Sequence, residues 1–292
     1  MIEIEEGAAL ARLTTIGTGG PARAVVKPAT LAELEHALAW ASERDLAVVT
    51  VGLGSNVLAA DDGVEALVVK LVGELAGVSV GDDSLTAGGG ATNAVCLHAA
   101  RRAGLGGLEF ACAIPGTAGG GVWMNAGAYG SDWAAILVRA RVVASKGAGW
   151  LTPAELGLSY RHSNLRHGQV VAEVEYALDA RSPEEIKATV AEFVAQRKAT
   201  QPTNKRTFGS VFKNPDHELG AGRMLEACGL KGYRSGGAVI SPLHANFIEN
   251  AGGATTADAL ALMAEARRRA REQFGVDLQH EVELLGDIAV RE

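Results

Sequence analysis

Residues 113–130 read AIPGTAGGGVWMNAGAYG, and we expect this stretch to decide both the fold and the site. Six of its eighteen residues are glycine. Glycine adds no apolar surface and loses more conformational freedom on ordering than any other residue, so this composition is poorly suited to filling a core. We interpret the stretch as a loop whose backbone approaches a ligand and which begins at a turn, Pro115-Gly116-Thr117. A tight connection between buried strands is the alternative.

Two further glycine-rich segments support a ligand. Residues 45–59, DLAVVTVGLGSNVLA, predict a buried strand followed by a glycine loop at 52–56. This loop matches neither the dinucleotide fingerprint nor the P-loop, because no third glycine opens a helix and no Gly-Lys-Ser/Thr follows. Gly88-Gly89-Gly90 follows another apolar run. Three such loops, each leaving a strand, predict one extended nucleotide that crosses several strand ends.

Length and composition indicate a soluble protein of about two domains. The chain has 292 residues, of which 48% are hydrophobic and 21% are charged. Its net charge of −7 is spread along the sequence, which argues against nucleic acid as a partner. The start, MIEIEEGAALARL, lacks the features of a signal peptide, and no apolar run approaches 18 residues. We therefore expect a cytoplasmic protein with no membrane partner.

The cysteines predict neither disulfides nor a metal site. Cys96, Cys112 and Cys228 are odd in number and widely separated, which gives no disulfide framework and no metal-ligand spacing. We interpret each one as a small buried apolar residue, and we expect no bound metal.

Hydrophobic periodicity predicts an α+β fold in two parts. The first part covers residues 13–181, with subregions at about 13–75 and 80–181, and the second covers 200–292. Thr30 and Ser182-Pro183 are typical helix starts. The predicted helices span 31–44, 92–102, 182–198, 220–228 and 256–274. The predicted strands lie at 24–26, 46–51, 66–71, 136–144 and 169–179, near 237–249, and in the closing segment HEVELLGDI.

Several motifs, taken in order, resemble one family. They are GLGSN at 52–56, IPGTAGGG and NAGAYG within 114–130, SYR at 159–161, GSVFKNP at 209–215, GLKG at 229–232, HANFIEN at 244–250 and HEVELLG at 280–286. Each is weak alone, but together they resemble the UDP-N-acetylenolpyruvoylglucosamine reductase (MurB) family across nearly the whole chain. The sequence lacks a tyrosine-bearing insertion in its C-terminal region, so it resembles the compact subtype.

The resemblance implies a fold, a cofactor and an activity. The fold would be a two-part FAD-binding domain of the vanillyl-alcohol-oxidase/PCMH type followed by a C-terminal α+β substrate-binding domain. FAD would bind non-covalently, and NADPH would be the co-substrate that reduces UDP-N-acetylglucosamine enolpyruvate to UDP-N-acetylmuramate, a peptidoglycan precursor. The expected FAD-binding residues are Gly52, Leu53, Gly54, Ser55, Asn56, Gly89, Pro115, Gly116, Thr117, Gly119 and Gly120.

Three residues within these motifs match the family's catalytic positions. Arg161 would stabilise the negative charge that develops towards the substrate carboxylate, since a guanidinium can bind both oxygens. Ser210 would donate the proton, helped by a neighbouring cation such as Lys213. Glu281 would orient Arg161, or act as an acid if burial raises its pKa. Taken outside the motifs, each could instead be an ordinary surface or turn residue.

Local charge predicts where the substrate diphosphate binds. Residues 197–234 carry eight cations and three acids, a net charge of +5 in a chain whose total is negative. Our candidate substrate contacts are Tyr160, Lys205, Lys213, Asn214 and Asn246. The sequence departs from the family pattern at three positions: Thr200 stands in place of lysine, His280 in place of proline and Glu283 in place of arginine. We therefore expect the phosphate contacts to come from Lys205 or Arg206 instead of position 200.

Two other functions remain open from the sequence. One is an FAD-linked oxidase of the same superfold, which would generally need a different substrate domain. The other is a non-catalytic nucleotide-binding module, which would have no need of a proton donor such as Ser210. We expect a monomer.

Overall fold

A computed structural model describes residues 2–290 of the chain. Its helices agree closely with the predicted ones, and most begin at a side chain that caps the first turn. Thr255, for example, forms a reciprocal capping box with Asp258. The α-helices are α1 (Leu31–Ser42), α2 (Asn93–Arg102), α3 (Ala118–Met124), α4 (Pro183–Thr200), α5 (Ala221–Ala227) and α6 (Thr256–Phe274).

The strands are mostly short and are joined by glycine-rich turns. In chain order they are β1 (Ile4–Glu6), β2 (Ala22–Val26), β3 (Ala47–Thr50), β4 (Val57–Ala59), β5 (Val64–Val69), β6 (Val78–Val80), β7 (Ser84–Gly88), β8 (Leu105–Gly106), β9 (Gly127–Ala128), β10 (Ser131–Asp132), β11 (Leu137–Ala144), β12 (Gly147–Leu151), β13 (Val170–Ala177), β14 (Asp179–Ala180), β15 (Thr207–Ser210), β16 (Arg234–Ser235), β17 (Ala238–Ile240), β18 (Phe247–Asn250) and β19 (Glu283–Leu285).

Packing divides the chain into two compact units, and each unit contains segments that are distant in sequence. The first unit comprises the N-terminus up to Glu6, Ala24–Leu53 and Ala66–Gln196. The second comprises Gly7–Arg23, Gly54–Glu65 and the chain from Arg197 onward. Two N-terminal segments therefore pack with the C-terminal region, and the glycine loop at 52–56 passes from one unit to the other after Leu53.

The first unit is built on two sheets. One has the order β1-β2-β5-β3, with β3 and β5 parallel, and the other is antiparallel in the order β12-β11-β13-β7-β6. Trp133 and Tyr176 are fully buried in its larger core, where the indole N–H donates to the phenol oxygen at 2.8 Å. This hydrogen bond lets two large polar-tipped rings fill the core without an unpaired polar atom.

The second unit places α6 against a small antiparallel sheet in the order β15-β18-β17-β16. Its core contains Phe208, Phe212, Met224, Leu262 and Met263, all almost completely buried. The short strands β4 and β19 pair in parallel, with Leu58 beside Leu284. This pairing fixes the end of the glycine loop against the segment that carries Glu281.

The glycine-rich stretch itself differs from the prediction of a simple loop. A 3₁₀ turn, Glu109–Ala113, precedes it rather than a strand, and residues 118–124 form α3. Thr117 starts the helix, because its hydroxyl accepts a hydrogen bond from the Gly120 N–H at 3.3 Å. Cap chemistry and tertiary contacts thus outweigh the low helix propensity of three consecutive glycines.

Two of the three cysteines follow the expectation of buried apolar residues, whereas Cys112 is only partly buried. Cys96 and Cys228 are buried, and burial raises the pKa of the Cys96 thiol to about 12. Neither thiol ionises readily, so neither is suited to nucleophilic chemistry. Among residues 2–290, no helix is both long enough and apolar enough to cross a membrane.

Candidate functional site

Two of the predicted ligand loops meet within the first unit. A Cβ atom at Gly52 would lie only 2.6 Å from Oγ1 of Thr117, so the Thr117 side chain packs against the Gly52 backbone at a distance that only glycine permits. Ala91 and Gly116 accept hydrogen bonds from Ala118 and Asn93, which join the start of α2 to the start of α3. The third glycine cluster also reaches α3, because the N–H of Gly119 donates to the Gly89 oxygen at 2.9 Å.

Packing explains two of the glycines that we predicted as cofactor contacts. A Cβ atom at Gly89 would overlap the Val171 oxygen, and one at Gly119 would lie 3.0 Å from the oxygens of Gly89 and Val171. Both residues are buried. Close packing is therefore sufficient to require glycine at positions 89 and 119, and their contact with the cofactor stays a prediction. Their role is to let α3 lie directly on the sheet.

The first turn of α3 uses its own backbone donors. The N–H groups of Ala118, Gly119 and Gly120 donate to Ala91, Gly89 and Thr117, respectively. They are therefore already satisfied within the protein. Gly120 is nevertheless exposed, and the nearest atom to a Cβ built there is 3.5 Å away. Close approach of a ligand remains a sufficient reason for glycine at position 120, beside the exposed Pro115.

The loop at 52–56 offers unused backbone donors. In the part of the chain that the structure describes, no protein atom accepts a hydrogen bond from the N–H of Leu53, Gly54 or Asn56. Gly54 has a φ of +65°, and a Cβ there would overlap the Leu13 oxygen, so only glycine fits. Successive backbone N–H groups in such a turn form a concavity that suits an anion.

Asn56 also has a structural task that the sequence did not reveal. Its side-chain amide donates to the Glu281 oxygen at 3.1 Å, and its own oxygen accepts from the Glu283 N–H at 3.0 Å. The amide group that we predicted to face the cofactor is thus directed towards the chain around Glu281. The contact of Asn56 with the cofactor stays a prediction, which its unused backbone N–H supports.

Arg161 lies in the first unit, in a tight turn. Ser159 and His162 exchange both of their backbone hydrogen bonds at 3.1 Å, which places Tyr160 and Arg161 at the tip. Arg161 has a φ of +53°, a left-handed conformation that is unfavourable for a side-chain-bearing residue. Its guanidinium donates to the Gly127 oxygen at 2.7 Å and lies 5.1 Å from the centre of the Tyr160 ring.

Asn125 holds this turn in place, and sequence reasoning missed it. The residue is 1% exposed and ends α3 in a left-handed conformation, with a φ of 38°. Its amide N–H₂ donates to the Ser159 oxygen at 2.9 Å and to the Asp132 carboxylate at 3.2 Å. Its amide oxygen accepts from the Ala134 N–H at 2.9 Å. The motif NAGAYG contains Asn125, but nothing local indicates these partners.

Ser210 lies in the second unit, at the end of β15. The pairing of β15 with β18 is irregular between Thr207 and Ser210, and Gly209 has a φ of +81°. A Cβ at Gly209 would lie 3.2 Å from the Ser55 oxygen. The irregularity is a bulge of the kind that re-aims a side chain next to a site. It sets the direction in which Ser210, which is partly exposed, projects from the strand.

Glu281 lies beside the strand that carries Ser210. Its N–H donates to the Val211 oxygen at 2.8 Å, and Phe212 forms an isolated bridge with His280. The structure thus brings two of the three predicted catalytic residues onto adjacent segments of one unit. Arg161 belongs to the other unit.

Asn246 supports the Ser210 segment. Only 4% of the residue is exposed, and its side-chain oxygen and nitrogen bond the N–H and oxygen of Phe212 at 2.9 and 2.8 Å. Its own backbone oxygen accepts from the Val211 N–H. The Asn246 amide therefore has a structural task at Phe212, and its contact with substrate stays a prediction.

The other predicted substrate contacts are exposed or partly exposed. Tyr160 is 54% exposed, Lys205 is exposed, and Lys213 is partly exposed. Asn214 accepts a hydrogen bond from the Ala221 N–H at 3.0 Å and so caps α5. Lys231, one of the eight cations counted above, pairs with Glu226 at 2.6 Å and adds little net charge.

The residues of the first unit fit a bound dinucleotide cofactor. The chain supplies glycine-lined backbone that is partly exposed at Gly52 and exposed at Gly120, with the unused N–H of Leu53 beside Gly52. These are donors for a diphosphate, and they require no metal ion. Within residues 2–290, no group of three or more His, Cys, Asp or Glu side chains could hold a metal.

Models of two protein families match successive parts of the chain. A family model described as an FAD binding domain matches residues 22–149, so the protein is a flavoprotein. The model for the C-terminal domain of UDP-N-acetylenolpyruvoylglucosamine reductase matches residues 201–285. The predicted α+β class, with an FAD-binding domain followed by a C-terminal domain, is confirmed.

Relatives that span the whole chain establish the family. The UDP-N-acetylenolpyruvoylglucosamine reductase 2 of Symbiobacterium thermophilum is 43% identical over 95% of this chain and 90% of its own length. The reductase of Rubrobacter xylanophilus is 42% identical over 95% of this chain and 94% of its own. The crystal structure of MurB from Thermus caldophilus has a TM-score of 0.85 and 36% identity, covering 98% and 100% of the two chains. The chain belongs to the UDP-N-acetylenolpyruvoylglucosamine reductase family.

Proposed function

We propose that this protein is an NADPH-dependent reductase that converts UDP-N-acetylglucosamine enolpyruvate to UDP-N-acetylmuramate for peptidoglycan synthesis. Bound FAD would supply the hydride, taken from NADPH and passed to the terminal carbon of the enolpyruvyl double bond. The observation that carries the proposal is similarity over 95% of the chain to relatives that bear this name. Retention of Arg161, Ser210 and Glu281 at the expected motif positions supports it.

Arg161 would bind the substrate carboxylate. Hydride addition at the terminal carbon places negative charge on the adjacent carbon and, through it, on the carboxylate. A guanidinium can hold both carboxylate oxygens and stabilise that charge. One guanidinium nitrogen, Nη2, donates to the Gly127 oxygen, and the Tyr160 ring lies beside the guanidinium. The turn thus limits the orientations open to Arg161.

Ser210 would give its hydroxyl proton to the carbon that bears this charge. A serine hydroxyl is a weak acid. Transfer of its proton is favourable only when the acceptor is strongly basic and a nearby cation stabilises the alkoxide that remains. Lys213, three residues further along the same segment, is the candidate cation. Glu281 would bind or orient groups at the substrate carboxylate. The Asn246 amide keeps the Ser210 segment rigid by its paired hydrogen bonds with Phe212.

The remaining substrate contacts would come from exposed cations and polar groups. Lys205 and Lys213 are the candidates for the diphosphate, with Tyr160 and Asn214 as further contacts. Each is exposed or partly exposed, as a ligand contact must be. We further propose that the protein is a cytoplasmic monomer, which sedimentation of the purified chain would test.

One anaerobic experiment tests the activity. The yellow protein should lose its visible absorbance on mixing with NADPH and regain it when the enolpyruvate substrate is added. NADH in place of NADPH measures the nucleotide preference. Bleaching without recovery would overturn the substrate. Rapid recovery with oxygen but not with the enolpyruvate would instead support an FAD-linked oxidase. A protein that binds FAD but is not bleached by NADPH would support a non-catalytic nucleotide-binding module.

Single substitutions then test the roles of the residues. Ser210→Ala and Arg161→Lys should still bind FAD and be bleached by NADPH, but reoxidation by the substrate should slow by about 10²–10⁴-fold. Ser235→Ala, in β16 of the same unit as Ser210, is the matched control and should behave like the wild type. Reoxidation by Ser210→Ala at the wild-type rate would overturn the assignment of the proton donor.

A further inference from the structure

Lys70 occupies a position that its surroundings in the protein do not explain. It directly follows β5, and its backbone N–H donates to the Val26 oxygen at 3.0 Å. Its side chain turns towards the glycine loop, where the ammonium donates to the Gly52 oxygen at 2.6 Å. The residue is only partly exposed. A charged group has thus been brought against a backbone carbonyl of the predicted cofactor loop.

The positive charge of Lys70 has no counter-charge within the protein. Among residues 2–290, no carboxylate lies within salt-bridge distance of its ammonium. Burial lowers the pKa of Lys70, and the like charge of Lys27 lowers it further. Lys27, in contrast, is exposed and lies 3.9 Å from the Glu5 carboxylate. A half-buried cation without an anion is the arrangement expected when the anion belongs to a ligand.

The glycine segments place Lys70 at the cofactor site. Gly52, whose oxygen Lys70 holds, is in closest contact with Thr117 at the start of α3. Leu71, the next residue, lies against Gly90, where a Cβ would be 2.5 Å from the Leu71 oxygen. Lys70 and Leu71 therefore contact two of the three glycine-rich segments, and Gly52 contacts the third at Thr117. An ammonium has three N–H donors, and the hydrogen bond to Gly52 uses one of them.

We propose that Lys70 is the cation that neutralises the diphosphate of the bound FAD. One N–H of its ammonium fixes the Gly52 carbonyl, which keeps that oxygen away from the phosphates. The two other N–H groups face the diphosphate. The proposal rests on FAD binding by this chain and not on the reductase activity. Its test therefore measures cofactor binding alone. A failure of this test would not affect the proposed reaction, and a failure of the proposed reaction would not affect this test.

The test compares flavins that differ in phosphate content. The FAD-free protein would be titrated with FAD, FMN and riboflavin at low and high salt, with quenching of flavin fluorescence as the readout. Lys70→Gln keeps a hydrogen-bond donor for Gly52 but removes the charge. It should weaken FAD binding by about 10–100-fold, the range expected for a charge-assisted contact, and should reduce the salt dependence. Riboflavin binding should change by less than about threefold.

Two further variants separate charge from structure. Lys27→Gln removes a neighbouring charge that already has a partner, and it should leave FAD affinity within about threefold of the wild type. Lys70→Arg keeps the charge and should bind FAD at least about fivefold more tightly than Lys70→Gln. If the Gln variant fails to fold, the FAD affinity of Lys70→Arg is compared with that of the wild type. Equal losses of affinity for FAD and riboflavin would overturn the proposal, and so would equal losses of FAD affinity in Lys70→Arg and Lys70→Gln.

Discussion

Replacing Asn125 with glycine should show how much of the Arg161 turn depends on one side chain. Glycine adopts the left-handed conformation of this position without penalty, so the substitution removes hydrogen bonds and adds no backbone strain. The lost bonds are those to the Ser159 oxygen, the Asp132 carboxylate and the Ala134 N–H. The effect can therefore be assigned to the side-chain amide.

The magnitude follows from these partners. A buried polar group left without a partner costs about 1–3 kcal/mol, but Ser159 is exposed and Asp132 partly exposed, so water replaces part of the loss. We expect a net loss of about 2–3 kcal/mol in the free energy of unfolding. With a shift of about 2–4 °C per kcal/mol for a unit of this size, the melting temperature should fall by about 5–10 °C.

The assay is a thermal melt of the FAD-free and FAD-loaded protein, followed by the anaerobic cycle described above. Asn125→Gly should keep FAD and be bleached by NADPH, but substrate should reoxidise it at least about tenfold more slowly, because the Arg161 turn loses an anchor. Asp45→Gly is the control: Asp45 is an exposed residue with a φ of 50°, and its replacement should leave both properties nearly unchanged. A fall of less than about 1 °C with normal reoxidation would refute the reasoning.

Two other predictions use different parts of the molecule. A Cβ at Gly121 would overlap the buried ring of Trp133, so Gly121→Ala should fold poorly, whereas Gly120→Ala should leave the melting temperature of the FAD-free protein unchanged and weaken FAD binding. Fluorescence titration and thermal melts would distinguish them, and equal behaviour of the two variants would contradict the assignment of Gly120 to ligand approach. Burial lowers the pKa of His244, so its neutral form, which accepts from the Asn246 N–H, is favoured in the folded state. The contribution of His244 to the free energy of unfolding should be fully present above about pH 6.5, the pKa of histidine in the unfolded chain. It should be lost as the pH falls towards the lower pKa of His244 in the folded protein. His244→Asn should reduce the loss of stability between pH 7 and pH 5.5, and an unchanged loss would show that other groups cause it.

The sequence predicted the regular elements well, because local signals determine them. The capping threonine at position 30, the Ser182-Pro183 start and the span of α6 all agree with the structure. The hydroxyl of Ser182 accepts from the Glu185 N–H, as its place at the helix start predicts. Such signals lie within a few residues of one another and need no knowledge of the tertiary fold.

Tertiary contacts determine what the sequence could not predict. Gly89 and Gly120 look alike in sequence, yet one is required by a neighbouring backbone and the other lies open. Asn246 was predicted to contact the substrate, but its partner, Phe212, is 34 residues away. Glycine next to polar residues is thus typical both of close packing and of ligand approach, and only the neighbours in space separate the two.

Backbone strain gives an independent reason to place function at the Arg161 turn. In the described part of the chain, the non-glycine residues with positive φ are Asp45, Asn125, Tyr129 and Arg161. Three of these lie in one connected region: Asn125 binds the Ser159 turn, Arg161 binds Gly127, and Tyr129 lies at the tip of the hairpin that Gly127 begins. Such conformations cost free energy and persist only where the surrounding contacts enforce them. A surface turn with no task could relieve the strain by substituting glycine. Because side chains stand at all three positions, we propose that the region is shaped to hold the Arg161 guanidinium in one orientation.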